Sequence, residues 1–335
     1  MANTRDIKKR IKSIGNTKKI TRAMEMVAAA KMRQAIEAVL KTRPYANLSW
    51  ATVLDLARTV KGRDDQSVHP LLALKNPATP KTDEARKVAI ILITSNRGLC
   101  GGFNSNIIKK AVELVKDTSP SDGAKNNPPS PLYQGGKTNY EYILLGKKGA
   151  AAHKNFGAEI VADFPKLDYI NEAREVTPVA RLVIKDYLAG KYEKVLVAYT
   201  DYINAVKQSP RLKQLLPVDI TEAEESLGVN RESSALTDEN KSSAVDQANN
   251  EYLFEPNPEE VLNEMLPRLI EIQLFQSLLE SSAAEQSARR FAMHQATEAA
   301  GDMVGELTLS YNKARQASIT SEIAEISAGA NALAE

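Results

Sequence analysis

The two ends of the chain carry long helical patterns, and these patterns constrain the fold more than any other feature. In the first, apolar residues recur every three or four positions, as on one face of an α-helix, at Ile7, Ile11, Ile14, Met24, Ala28, Met32, Ala35 and Val39. Pro44 is expected to kink or interrupt this helix, which then continues to about residue 60. The sequence therefore predicts a long amphipathic helix over residues 1–60.

The C-terminal pattern is longer, and no proline follows Pro267. Its apolar positions are Leu269, Ile272, Leu278, Leu279, Ala284, Ala288, Phe291, Ala292, Ala299, Met303, Leu307, Tyr311, Ala314, Ile319, Ile323, Ile326 and Ala330. A helix over residues 258–331 would be roughly 110 Å long at a rise of about 1.5 Å per residue, which is too long for burial in a domain of this size. Because the N-terminal helix presents a second apolar face, we predict that the two helices form an intramolecular antiparallel coiled coil.

The centre of the chain alternates between strand and helix patterns. A continuous apolar run at residues 88–94 is typical of a strand buried on both faces of a parallel sheet. Three shorter apolar runs lie at 142–145, 160–164 and 194–199. Three helical patterns alternate with these runs, at 104–115, 147–156 and 176–189. The predicted fold class is α/β with long terminal helices, an antiparallel two-helix coiled coil joined to a small Rossmann-like domain with a mainly parallel sheet.

These patterns divide the chain into four predicted parts. They are an N-terminal coiled-coil helix over 1–60, a linker and central α/β domain over 61–220, an acidic polar insertion over 221–250, and a C-terminal coiled-coil helix over 251–335. Residues 117–138 form a further insertion within the central domain, since they are rich in Pro, Gly, Ser and Asn. Both insertions are expected to be flexible surface segments.

Composition excludes several classes of protein. The chain has 44 basic and 42 acidic residues, so its surface as a whole is not suited to nucleic acid or anionic lipid. Residues 1–43 contain twelve basic and three acidic residues, but these are interleaved with the apolar face and lack the aromatic residues of single-strand binders. Cys100 is the single cysteine, which excludes an internal disulfide, and three scattered histidines predict no metal site. No stretch approaches the ~20 apolar residues of a membrane-spanning helix.

Two glycine-containing segments invite a nucleotide-binding interpretation, but neither has the required pattern. Residues 136–138 read Gly-Lys-Thr, as at the end of a phosphate loop, yet Pro131 occupies the position of the first glycine. Residues 98–102 follow a predicted strand but lack the Gly-x-Gly-x-x-Gly order, which favours a tight structural turn. We therefore predict no cofactor. A small nucleotide-binding enzyme with coiled-coil arms and a basic coiled-coil nucleic-acid binder remain the alternatives.

The C-terminal helix has an unusual polar end. A helix that needs only solubility would carry Lys and Glu, whereas residues 311–323 carry Asn, Arg, Gln, Ser and Thr. These side chains form directional hydrogen bonds. We expect this end to make intermittent polar contacts with a surrounding surface.

Several segments resemble the gamma subunits of F-type ATP synthases. Residues 16–32, NTKKITRAMEMVAAAKM, resemble the N-terminal signature of that family. Further resemblances follow in the family's order, in RGLCGGFN at 97–104, QLLP at 214–217, YLFEP at 252–256, and residues 311–323. The resemblance covers nearly the whole chain and fails only in the two insertions. One departure is Asn96, which stands where an aspartate is usual.

This resemblance implies a central rotor shaft with no catalytic residues of its own. The partners it implies are the hexamer of alpha and beta subunits, the epsilon subunit and the ring of c subunits, with no nucleic acid. Ion-driven rotation of the c-ring would turn the shaft and drive the catalytic beta subunits through distinct conformations during ATP synthesis or hydrolysis. Membrane association would be indirect, through the c-ring, at the cytoplasmic face of a bacterial cell membrane.

The resemblance also implies contact residues, position by position. On the rotor surface facing the beta subunits it implies Arg315, Gln316, Thr320, Glu322, Arg289 and Met24. At the foot facing the c-ring it implies Tyr252, Phe254 and Glu255. A methionine or arginine at helical spacing is also common in an ordinary helical core or on a solvated face, so Met24 and Arg289 have a purely structural alternative.

Overall fold

The computed structural model describes residues 4–61, 69–72, 87–118, 139–151, 159–167, 173–218, 255 and 257–334. Its helices are α1 (Thr4–Lys61), α2 (Phe103–Thr118), α3 (Thr177–Leu188) and α4 (Pro258–Ala334). Its strands are β1 (Lys87–Ile93), β2 (Asn139–Leu145), β3 (Glu159–Phe164), β4 (Lys194–Tyr202) and β5 (Gln208–Leu216). The insertion at 221–250, and that at 117–138 beyond the end of α2, lie outside the described residues.

A five-stranded sheet has the strand order β3-β2-β1-β4-β5. The middle strand, β1, pairs in parallel with β2 and β4, and β2 pairs in parallel with β3. All four strands predicted from the apolar runs are present, and the prediction of a mainly parallel sheet is confirmed.

The sequence patterns do not predict β5, which pairs antiparallel with β4 at the edge of the sheet. This strand contains Pro210 and the polar residues Arg211 and Lys213. An edge strand tolerates proline because one side of its backbone makes no ladder hydrogen bonds. Its half-exposed position also removes the continuous apolar run that identifies a central strand.

Helices cover both faces of the sheet. Ile91 of β1 packs in one apolar cluster with residues of α3 and the first part of α4. The neighbouring Ile90 points to the opposite face and packs in a second cluster with residues of α2. This arrangement explains why β1 is apolar at consecutive positions rather than at alternate ones.

The N-terminal helix is not interrupted at Pro44, where the sequence predicts a kink or an interruption. α1 runs through Pro44, which is exposed. A proline inside a helix removes a backbone hydrogen bond and crowds the preceding turn. Here Val39 on one side and Trp50 on the other are both buried in the same apolar cluster, so packing holds both halves in the helical conformation.

The chain forms two compact units. The first contains Met1–Lys31, the turn Leu99–Gly101 and Gln286–Glu335, and the second contains Met32–Gly98 and Gly102–Glu285. The long helices α1 and α4 each contribute to both units. The four-part division of the chain stays a prediction. Within the described ranges, no helix combines the length and apolar character needed to cross a lipid bilayer.

Candidate partner-contact surfaces

In the first unit, α1 and α4 present buried and half-buried residues at heptad spacing. On α4 these residues include Met293, Thr297, Ala300, Val304, Leu307, Tyr311 and Ala314, an alternation of four and three. On α1 they include Ile7, Ile11, Ile14, Thr21 and Ala28. The buried positions include the small side chains of Ala28 and Ala300, at 1% and 6% exposure, beside the larger Met293 at 4%. Small side chains allow close approach of the helices but bury little apolar area.

Two polar contacts between these helix ends define their direction. The hydroxyl oxygens of Thr21 and Thr297 lie 2.8 Å apart at hydrogen-bonding distance. Four residues further along α1, Glu25 Oε1 lies 3.2 Å from Nδ1 of His294, which precedes Thr297. From Thr21 to Glu25 the residue number on α1 increases, whereas the number of the contacted residue on α4 decreases from Thr297 to His294. The helices therefore run antiparallel, and the predicted pairing is confirmed.

Some residues assigned to the apolar face of α4 lie outside this contact. Phe291 is 51% exposed and Met303 is 53% exposed. The sequence prediction includes every apolar residue near a 3.6-residue period, which covers a wide helix face. A contact between two helices buries only the residues at heptad positions, which form a narrower stripe. These exposed side chains are therefore available to other surfaces.

The end of α4 differs from the rest of the helix. Every side chain over residues 315–328, here called the polar tip, is exposed. It includes four of the predicted contact residues, Arg315, Gln316, Thr320 and Glu322. The Thr320 hydroxyl donates to the Gln316 carbonyl oxygen at 2.9 Å, which occupies that donor within the helix.

The polar tip also carries an apolar stripe. Ile319, Ile323 and Ile326 are 48%, 58% and 68% exposed. Their spacing of four and three places them on one helix face. That face is offset by one or two positions from the continuation of the heptad series that ends at Ala314, so it does not continue the contact with α1. An exposed isoleucine stripe on a helix is a feature of a surface that meets a partner.

Met24 and Arg289 do not belong to the polar tip. Met24 is half-buried on α1, beside Met26 and Val27, which are 59% and 57% exposed. Arg289 is half-buried on α4, 26 residues before Arg315 and therefore roughly 39 Å away along the helix. The structure thus brings together four of the six predicted beta-facing residues and separates the other two.

Of the three predicted foot residues, only Glu255 lies within the described residues, and it is exposed. Tyr252 and Phe254 lie outside them. Glu255 stands just before Asn257, which caps α4. The Asn257 Oδ1 accepts the backbone N–H of Glu260 at 2.8 Å, and its Nδ2 donates to the Glu260 carboxylate at 2.9 Å. This reciprocal capping arrangement fixes where α4 begins.

The glycine-rich turn after β1 is held by side-chain hydrogen bonds. Asn104 Oδ1 accepts the backbone N–H of Ser95 at 3.0 Å, and Asn104 Nδ2 donates to Ser95 Oγ at 2.7 Å. Asn96, which departs from the family pattern, donates through Nδ2 to the Lys166 carbonyl oxygen. Leu99 has a φ of 62° and is 61% exposed. These contacts describe a closely braced turn, the favoured sequence interpretation.

A buried ion pair next to this turn has no signal in the sequence. Lys166 Nζ lies 2.7 Å from Glu285 Oε2, and the two side chains are 3% and 8% exposed. Lys166 follows β3, and Glu285 lies on α4. The residues are 119 positions apart, so no local pattern connects them. Removing one member of such a pair leaves a buried charge without its counter-ion.

Two buried glutamates have contrasting surroundings. Burial disfavours the charged form of Glu141, but hydrogen bonds from Lys87, Tyr192 and Lys191 outweigh this effect and lower its pKa below 4.5. Burial dominates at Glu280 and raises its pKa above 4.5, although Gln276 donates to its carboxylate at 3.0 Å.

The described residues contain no group of three or more His, Cys, Asp or Glu side chains placed to hold a metal ion. Cys100 is buried and forms no disulfide. The three features that stand out are instead the coiled-coil contact, the polar tip and the capped start of α4. The first is a contact within the chain, and the other two are exposed to solvent within the described residues.

Comparison with known proteins gives consistent matches over the whole chain. The family model described as ATP synthase matches residues 3–333. The chain is 37% identical to an ATP synthase gamma chain of Desulforamulus reducens, covering 99% of this chain and 100% of the relative. It is 38% identical to the corresponding chain of Heliobacterium modesticaldum, with coverage of 99% and 100%.

Solved structures share the fold. A chain of the Euglena gracilis mitochondrial ATP synthase (OSCP/F1/c-ring, rotational state 3) matches with a TM-score of 0.60 at 18% identity, covering 98% of this chain and 94% of that one. A chain of the central stalk and c-ring structure from Tetrahymena thermophila matches with a TM-score of 0.55 at 21% identity, covering 83% and 99%. With the full-length sequence matches, the paired terminal helices and the α/β sheet, these findings show that the chain belongs to the ATP synthase gamma chain family.

Proposed function

We propose that this chain is the central rotor shaft of an ATP synthase, transmitting ion-driven rotation of the c-ring to catalytic beta subunits. The observation that carries the proposal is the polar tip, residues 315–328, whose side chains are all exposed. The helix continues there beyond the paired contact, with hydrogen-bonding groups on its surface and an isoleucine stripe. A helix built in this way needs a surrounding partner rather than a substrate.

The shaft acts without catalytic residues of its own. It works by conformational coupling: contacts that differ between the states of a beta subunit bias the equilibrium among those states. Its partners are the alpha and beta subunits of the hexamer, the epsilon subunit and the c-ring. Its association with the membrane is peripheral and indirect, through the c-ring, at the cytoplasmic face of a bacterial cell membrane.

The contact residues divide by position. Arg315, Gln316, Thr320 and Glu322 on the polar tip contact the beta subunits through polar side chains. Met24 and Arg289 contribute lower on the same two helices, where Met26 and Val27 add exposed apolar surface. Glu255, with Tyr252 and Phe254, meets the c-ring at the capped start of α4.

The direct test is the double substitution Arg315→Ala and Gln316→Ala in the assembled complex. Both side chains are exposed, so the free energy of unfolding should change by less than about 0.5 kcal/mol. Coupled ATP synthesis in reconstituted vesicles should fall by about tenfold, because a coupling contact is lost. Glu264→Ala, also exposed but at the other end of α4, is the matched control and should retain full synthesis. Unchanged synthesis in the double variant would remove these residues from the coupling surface.

A test of the partner assignment uses affinity purification of the tagged chain from native membranes. Alpha and beta subunits should be recovered in about threefold molar excess over the tagged chain, together with the c-ring, in a detergent that preserves large complexes. Their absence from an otherwise intact preparation would refute the rotor assignment. Saturable nucleotide or DNA binding by the isolated chain would favour the alternative classes.

A further inference from the structure

A groove with a volume of about 1020 Å³ lies in the second unit, between α3 and the first part of α4. Its apolar lining residues are Pro178, Ile184, Leu188 and Pro267. Its charged lining residues are Arg174, Arg181, Lys185, Arg268 and Glu271. The groove therefore combines an apolar surface with an excess of positive charge, four basic groups against one acidic group.

The basic side chains are arranged to face outward. On α3, the spacing of Arg181 and Lys185 places both on one helix face. Both are exposed, as is Arg268 on α4, and within the described parts of the chain none of these three forms an ion pair. Their positive charge is thus available to an external acidic group. The groove lies outside the polar tip and outside the foot residues.

We propose that the acidic segment 221–250 of this same chain binds in the groove. The segment contains seven acidic and two basic residues, so its charge is opposite to that of the groove. Its densest acidic part is Glu222, Glu224 and Glu225, followed by the apolar Leu227 and Val229. This order offers carboxylates to the arginines and lysine, and branched apolar side chains to the proline and isoleucine surface.

Chain connectivity favours this occupant over a separate molecule. The segment is joined to β5 at one end and to α4 at the other. Arg268 lies ten residues into α4, roughly 15 Å from its start at Pro258, which is well within the reach of a chain of this length. A tethered segment has an effective concentration in the millimolar range, so modest ionic contacts are enough to populate the bound state.

Cross-linking in the full-length chain tests the proposal. A water-soluble carbodiimide activates a carboxylate and joins it to a nearby amine as an amide, so Lys185 Nζ should become linked to Glu222, Glu224 or Glu225. Mass spectrometry of the digested chain identifies the linked peptides. Lys185→Arg is the matched control, because it keeps the charge but removes the reactive amine. Linkage of Lys185 only to carboxylates outside 221–250, or to another subunit in the purified complex, would overturn the proposal.

Protection from trypsin provides a second measurement. Arg231 and Lys241 are the tryptic sites in the segment. In the variant Arg181→Glu/Arg268→Glu, cleavage at these sites should be about fivefold faster than in the unmodified chain, and raising the salt concentration should have the same effect. Lys109→Glu, an exposed substitution on α2, should leave the rate unchanged. Equal rates in the groove variant and the unmodified chain would contradict the proposal, whatever the outcome of the rotor tests.

Discussion

Glu141 and Glu280 show how the surroundings of a single side chain decide its effect on stability. Both carboxylates are buried, at 3% and 8% residue exposure. Glu141 lies 2.8 Å from Lys87 Nζ and 3.2 Å from Lys191 Nζ and accepts a hydrogen bond from Tyr192, which favours its charged form. Arg43 lies 3.7 Å from the Glu280 carboxylate, and its side chain is 54% exposed. It therefore stabilises the charged form of Glu280 less than Lys87 and Lys191 stabilise that of Glu141.

We predict opposite effects for the matched substitutions Glu141→Gln and Glu280→Gln at pH 7. Glu141→Gln removes charge-assisted hydrogen bonds and should lower the free energy of unfolding by about 1–3 kcal/mol. Glu280→Gln removes a buried charge and should leave the free energy of unfolding unchanged or raise it. Denaturant unfolding followed by circular dichroism measures both. Destabilisation by both substitutions to the same extent would contradict the assignment.

The pH dependence of the free energy of unfolding gives a second test of the opposite effects of these two glutamates. Because the folded-state pKa of Glu141 is lowered, its stabilising contribution is present above pH 4.5 and is lost as the pH falls through the folded-state value. Because the folded-state pKa of Glu280 is raised, the folded state is favoured at low pH and loses that advantage as the pH rises above 4.5. Glu141→Gln should therefore flatten the acid-side loss of stability, whereas Glu280→Gln should steepen it.

Glycines illustrate how the same substitution acts differently in different elements. Gly15 lies inside α1, and a Cβ added there meets no other atom within 4 Å. Gly146 follows β2 with a φ of 107°, and an added Cβ would clash with the backbone carbonyl of Thr94. At Gly15 a side chain has room, and adding one favours the helical conformation. At Gly146 the backbone conformation and the lack of space both require glycine.

Gly15→Ala should accordingly raise the free energy of unfolding by about 0.5–1 kcal/mol, since alanine has the higher helix propensity. Gly146→Ala should lower it by more than about 2 kcal/mol, because the strained backbone and the clash with Thr94 act together. Thermal unfolding of the two variants beside the unmodified chain is the measurement. A stable Gly146→Ala variant would show that the turn after β2 adjusts more readily than its geometry indicates.

The elements differ in how well the sequence predicts them. Residues 88–94 are recognisable because a strand buried on both faces needs apolar side chains at every position, whereas β5 lacks that pattern. Continuity of α1 through Pro44 depends on tertiary packing of Trp50, which local propensity does not contain. The polar tip could be predicted because its composition is unusual. The Lys166–Glu285 pair could not, since it joins residues that only the fold brings together.

The whole molecule should not unfold in one step. The first unit depends on a narrow helix contact that includes small residues, and every residue of the polar tip is exposed. The second unit has an apolar cluster that includes Trp50, the single tryptophan, at 7% exposure. Helices with little tertiary packing are marginal in water, so the helix ends should melt before the sheet and its covering helices.

This prediction can be checked by following two signals in the same denaturant titration. Helical circular dichroism should begin to fall at a lower denaturant concentration than the shift in Trp50 fluorescence. Coincident curves would instead indicate that the two units unfold as one cooperative body. Truncation after Ala314 is the informative control, because it removes the polar tip and should reduce the early loss of helical signal while leaving the fluorescence midpoint unchanged.

The exposure of every residue over 315–328 has a consequence for how this part of the chain evolves. Natural selection can retain a side chain because the fold requires it or because another molecule does. Within the described structure, the fold places almost no demand on the identity of these side chains. A mutational scan scored by the stability of the isolated chain should therefore tolerate most substitutions there, whereas a scan scored by growth on a non-fermentable substrate should not. The difference between the two scores at each residue would identify the side chains that are retained because of a partner.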